Sequence, residues 1–158
     1  MRGLRIWAAV GVSVLAAAGL VTVAAASSAS GAVPTEHIVG LQNNPTKNGV
    51  AVVIGNGPIH AHGRDVVVNG HTDRFVFPRG SITIKHRNTG QHQHFDRVTC
   101  YGTFTQTGVY RVIGGTGAYS GASGHGKFVV RAAAFGCSQH KPPRIFQLTL
   151  RAAGPLNV

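Results

Sequence analysis

Beyond residue 33 the apolar residues of this chain recur at every second position in short runs, the spacing of strands that pack on one face. "AVVIG" (51–55), "DVVVNG" (65–70), "RFVFP" (74–78) and "SITIKHR" (81–87) are runs of this kind, separated by Gly, Asn or Pro. Further runs cover 94–108, 109–115, 127–135 and 144–153. Ile82 and Ile84 share a face opposite Ser81, Thr83 and Lys85. In the same way Phe128, Val130, Ala132 and Ala134 fall together, and Phe146, Leu148 and Leu150 alternate with Ile145, Gln147, Thr149 and Arg151. The intervening "HRNTGQHQHFD" (86–96) reads as a polar loop. No stretch sustains a helical period with a cap. About eight strands with turn signals between them predict an all-β domain, an antiparallel barrel or a sandwich. Closure into an eight-stranded antiparallel β-barrel is preferred, because it removes exposed strand edges.

The first 32 residues follow a different pattern. Arg2 and Arg5 make a positive start, residues 6–26 are apolar or small, and no charge returns until Glu36. Small residues end at Ala26, Ala29 and Ala32, so the segment reads as a secretory signal peptide cleaved after Ala32. An uncleaved membrane anchor is the alternative; the Ala-rich composition and the lack of a following basic cluster count against it. No Cys lies near the cleavage region, which excludes a lipid-modified cysteine. Export leaves a single domain over 33–158, expected to be extracellular and off the membrane once cleaved. Its two cysteines, Cys100 and Cys137, are then expected to form one disulfide.

Export also sharpens the charge balance. Of 15 lysines and arginines, Arg2 and Arg5 leave with the signal, so 13 remain against four acids. A charge of +9 suits contact with polyanions such as wall polymers or acidic glycans. The basic residues are nevertheless scattered, as on many solvated surfaces, and no nucleic-acid-binding module is recognisable.

The densest signal is "VIGGTGAYSGASGHGKF" (112–128), with six glycines between Gly114 and Gly126. Gly121, Gly126 and Lys127 match a phosphate-binding P-loop until Phe128, which stands where a magnesium-binding hydroxyl belongs. A strand rather than a helix follows, and Ser120 replaces the third glycine of a dinucleotide fingerprint, so nucleotide binding is not expected. The glycines instead suit a sharp corner between strands, pinned into the core by Tyr119 and Ala122.

Those residues carry a family likeness. Gly114, Gly115, Thr116, Gly117, Tyr119, Gly121, Ala122, Gly124 and Gly126 resemble the glycine corner of the dirigent and allene oxide cyclase-like barrels. "TDRFVFPRGSITI" is similar, more loosely, to the hairpin that precedes it. The resemblance covers about a third of the domain and implies an eight-stranded barrel with an apolar cavity, often a homo-oligomer. It also implies a hydrophobic small molecule as partner and no cofactor. Family members steer cyclisation of an unstable epoxide or coupling of phenoxy radicals, and the cyclases use a buried carboxylate with an ordered water.

Glu36, Asp65, Asp73 and Asp96 are the only acids, and no motif match ties one of them to the family's carboxylate. Glu36 lies nearest to a first strand but is expected at a mobile terminus. No catalytic residue is therefore assigned. Arg111, Arg131 and Tyr119 are candidate ligand-binding residues; with Arg151, the arginines would favour an anionic ligand if inward and surface adsorption if outward. His60/His62 and His92/His94 each place two imidazoles on one strand face, the spacing of metal ligands, with His71 between the pairs. A third ligand is needed and no acid lies at ligand spacing, so no metal is expected. Ser81, Ser120, Ser123 and Ser138 lack the Gly-x-Ser-x-Gly elbow of hydrolases. A secreted barrel that binds, and steers the chemistry of, a hydrophobic molecule is the leading expectation; a non-enzymatic basic protein that adsorbs polyanions is the alternative.

Overall fold

Alternation becomes burial almost residue by residue. The computed structural model describes residues 31–45, 50–138 and 141–158; the expected signal segment lies outside them up to residue 30. Its strands are β1 (Thr35–Gln42), β2 (Val50–Asn56), β3 (Ala61–Asn69), β4 (Thr72–Phe77), β5 (Gly80–Asp96), β6 (Tyr101–Gly117), β7 (Ser123–Phe135) and β8 (Ile145–Asn157). Each pairs antiparallel with the next, and β1 pairs with β8 from Thr35↔Pro155 to Gln42↔Leu148, closing an eight-stranded barrel. The inward set Ile38, Val53, Phe75, Ile82, Phe128 and Leu150 is buried. No helix occurs among the described residues.

Three points of the sequence reading are corrected although the number of strands stands. β1 is absent from the hydrophobic pattern because its inward positions are Glu36, Ile38 and Gly40, only one of them a large apolar residue. Its outward Val39 and Leu41 reverse the signal. Conversely, 94–108 and 109–115 are not two strands: β6 runs unbroken through 101–117. The polar stretch 86–96 is likewise not a loop but the upper half of β5, paired with β6 from His86↔Tyr110 to Asp96↔Tyr101. Its side chains are mostly exposed because it rises above the closed barrel, where neither face meets a core, so the period-2 signal is lost.

β5–β8 are the longer strands, and together they overhang one end of the barrel, its mouth. Cys100 and Cys137 are bonded at the tip of this overhang, with Cα atoms 4.8 Å apart. Cys100 ends a turn, at φ 57°, and Val98 within that turn is 93% exposed. Asp96 organises that turn by accepting the N–H groups of Val98 (2.8 Å) and Thr99 (3.2 Å). Because the bond ties the overhang and not the core, reduction should lower Tm by roughly 10 °C without unfolding the barrel. Scanning calorimetry with and without reductant checks this, and complete unfolding of the reduced protein at room temperature would contradict it.

The opposite end is closed by the glycine corner. β6 leaves through Gly117 (φ 61°) and the chain turns back through Gly121 (φ 84°), both in the left-handed region that glycine enters without strain. Tyr119 and Ala122 are buried beneath the turn, and the Tyr119 ring meets Phe77 edge-on at 6.0 Å. Thr116 explains the buried Ser81: its Oγ1 accepts the Ser81 N–H at 3.1 Å and lies 2.9 Å from Ser81 Oγ. With Ile59 and Leu156, these residues plug the barrel.

Candidate functional site

Above the plug the barrel is hollow. A cavity of about 330 Å³ opens toward the mouth, walled by Ala51, Phe75, Ile84, Phe128, Leu150 and Ala152. A second depression, of about 540 Å³, lies along the overhang on Phe104, Ala132, Ala134 and Phe146, and shares Leu148 with the cavity. The apolar phase of β7 and β8 therefore runs from the lumen onto the overhang as one surface.

Asp65, Asp73, His86 and Tyr110 interrupt the apolar lining. Register brings the first three together: Asp65 lies opposite Phe75, Asp73 two residues along β4, and Ile84 opposite Asp73 with His86 two residues beyond. His86 Nε2 is 3.2 Å from Asp73 Oδ2. Nδ1 of His86 is buried without a hydrogen-bond partner, and an orphaned lone pair is less costly than an orphaned N–H. The proton accordingly belongs on Nε2, which donates to Asp73. The ring is fixed further by an edge-on contact with Phe128 at 5.7 Å.

Asp65 is the most perturbed group. Burial pushes its carboxyl up to about 8, with the neighbouring Asp73 adding to the rise. Its Oδ1 is enclosed with no hydrogen-bond partner, so nothing compensates an ionised form. Burial also raises Asp73, and His86 opposes that rise. Tyr110 is pushed up to about 12 by burial and, secondarily, by the Glu36 carboxylate, and remains a phenol. The lumen thus holds a carboxyl that burial keeps protonated well above the usual aspartate range beside the hydrogen-bonded Asp73–His86 pair. One can donate a proton and the other accept one, inside a mostly apolar wall.

Glu36 is not at a mobile terminus. It is 1% exposed, inward on β1, and accepts the Ile59 N–H at 2.7 Å within the plug. Closing the barrel places its side chain under Gly55 and Gly57, where any added Cβ would meet it. Burial raises its carboxyl and the Ile59 N–H partly offsets this. It supports the floor rather than lining the cavity. Asp96 stays outside at the tip of the overhang, its carboxyl held low mainly by the Thr99 and Val98 N–H groups.

The remaining sequence candidates are dispersed. Arg111, Arg131 and Arg151 all project outward and are exposed, while Tyr119 belongs to the plug. His60 and His62 lie at the plug end, and His92 and His94 on the overhang, two strands and the barrel height away. No group of three or more His, Cys, Asp or Glu side chains with metal-holding geometry occurs among the described residues.

The grouping of Asp65, Asp73 and His86 was not anticipated, though part of it was visible. Asp73 sits in phase with Phe75 and Phe77, and His86 in phase with Ile82 and Ile84, so each is a polar residue at an apolar position. No family model, curated protein or solved structure matches this chain.

Proposed function

We propose that the barrel binds a hydrophobic small molecule in its lumen and steers that molecule's cyclisation or coupling by proton transfer. The observation that carries this reading is a buried carboxyl with an unpartnered Oδ1, Asp65, in an apolar cavity of about 330 Å³ beside the His86–Asp73 pair. Such a cavity suits a ligand of modest size with one or two oxygen functions. Asp65 donates to an oxygen of the ligand, and the imidazole–carboxylate pair takes a proton from it, while the walls fix the ligand's folding. The likeness of the glycine corner to dirigent and allene oxide cyclase-like barrels supports the same class of chemistry, and a secreted location fits the disulfide. Gln106 is half-buried at the mouth, where a larger side chain would obstruct entry. Nile red, a neutral lipophilic dye, is expected to bind saturably to the wild type and about tenfold more weakly to Gln106→Trp, if obstruction removes ~1.4 kcal/mol. No saturable binding, or equal binding by a folded Gln106→Trp, would sink the reading.

A further inference from the structure

The barrel separates its charges by side. Every lysine and arginine that the structure describes is exposed. Of the four acidic side chains, Glu36, Asp65 and Asp73 are enclosed by the barrel and Asp96 sits on the overhang tip. The outer wall consequently presents cations with no acid among them.

Strand register gathers residues that the sequence scatters. Lys85 of β5 lies directly opposite Arg111 of β6, which lies opposite His125 of β7. One step toward the mouth, Arg87 faces Val109 and Val109 faces Lys127; Arg151 of β8 faces Val129, two residues from Lys127. Beside them is a shallow outer depression of about 440 Å³, lined by His37, Lys127 and Arg151 together with the small or β-branched Val39, Val129 and Ala153. We propose that this outer face of β5–β8 docks an extended acidic polysaccharide through its carboxylates, in addition to the lumen's own ligand.

Three features support an anionic partner over simple solvation. Like charges directly opposite across strands are unfavourable, yet Lys85 and Arg111 occupy such a pair with no acid to relieve it. A surface that serves solubility alone intersperses both signs, and this one does not. The depression gives a chain somewhere to lie between the cations. The chemistry favours a polysaccharide among polyanions. Single-stranded nucleic acid needs aromatic platforms for its bases, and the exposed Phe95, Tyr101 and Phe135 stand on the overhang tip, off this band. A bilayer needs an apolar cluster to insert; the exposed Val39, Leu41, Val50, Val52 and Ile54 form one on β1 and β2, whereas beside Arg111 on β6 the large exposed aliphatic residue is Ile113, so vesicles enter the test as a competitor.

The test uses immobilised polygalacturonate at about 0.15 M salt, where charges more than roughly 8 Å apart are largely screened. The wild type should bind, and binding should weaken with added salt. The triple variant Arg111→Glu/Lys127→Glu/Arg151→Glu should lose more than about tenfold in affinity. Arg64→Glu/Arg74→Glu/Arg79→Glu, an equal charge change on β3, β4 and the turn that follows, should lose less than about threefold. Should the first triple fail to show native near-UV circular dichroism, the corresponding three glutamine substitutions replace it with the same expectation. Equal losses in the two triples, no binding by the wild type, or tighter binding to oligo(dT) or to phosphatidylglycerol vesicles would each overturn the proposal. Nile red binding should be the same in the first triple as in the wild type, which keeps this outcome separate from that of the lumen.

Discussion

Gly117→Ala should destabilise the barrel by about 4 kcal/mol or prevent its folding. Two costs combine there. Gly117 has φ 61°, a conformation that costs an L-residue roughly 1–2 kcal/mol. Its Cβ would also meet the backbone carbonyl of Arg79, which already accepts the Ala118 N–H at 2.8 Å and cannot withdraw without breaking that bond. Gly121 shares the first cost without the second: φ is 84° and nothing lies within 4 Å of an added Cβ. Gly121→Ala should therefore cost only about 1 kcal/mol. Gly114 carries neither cost, since its φ is ordinary and its surroundings are open, so Gly114→Ala should change stability by less than about 0.5 kcal/mol. Urea midpoints at constant m-value measure the series. Equal losses at the three positions would mean that the corner is not the geometric constraint described above.

Asp65→Asn should stabilise the protein above neutrality and not in acid. The folded barrel raises the Asp65 carboxyl to about 8, against roughly 3.9 for a free aspartate. Between those values the unfolded chain has released a proton that the folded chain retains, so stability falls as pH rises from about 4 to about 8. Above about 8 both states are ionised and the penalty is constant. Asparagine removes it. The difference between variant and wild type should grow across that window toward a ceiling of about 5 kcal/mol, roughly 20 °C in Tm, and vanish near pH 4. Parallel pH profiles would refute a neutral acid in the lumen.

The closed all-β fold was legible because the chain obeys period two wherever one face is buried. β4, the first half of β5, β7 and β8 could be read by eye. It failed in two opposite circumstances. β1 hides because a glutamate and a glycine occupy inward positions while valine and leucine face out. The upper half of β5 hides because both faces are exposed and its composition resembles a loop. The glycine corner was legible down to individual residues, Tyr119 and Ala122 included, since a tight turn against a core dictates residue types locally. The candidate site was not. Asp65, Asp73 and His86 stand on three strands, and their meeting depends on a lateral register that no local pattern encodes. Sequence offered only the polar residue in apolar phase. The arginines show the same limit from the other side: strand positions 111, 131 and 151 were evident, but which way they face follows from the closure of the barrel.

Closure has one more consequence. Pairing of β1 with β8 sets Thr35 opposite Pro155, and the Leu156 N–H donates to the carbonyl of Pro34 at 3.0 Å. The strand order is thus a ring with no privileged first member, and residues 34 and 156 are neighbours at the plugged end. A tag, fluorophore or partner domain joined after Val158 departs from the base of the barrel, behind the plug, and leaves the mouth and the overhang open to solvent. The seam could also be bridged by a short linker and the ring reopened at the β3–β4 turn around Gly70, giving a permuted chain whose new ends flank the cavity entrance.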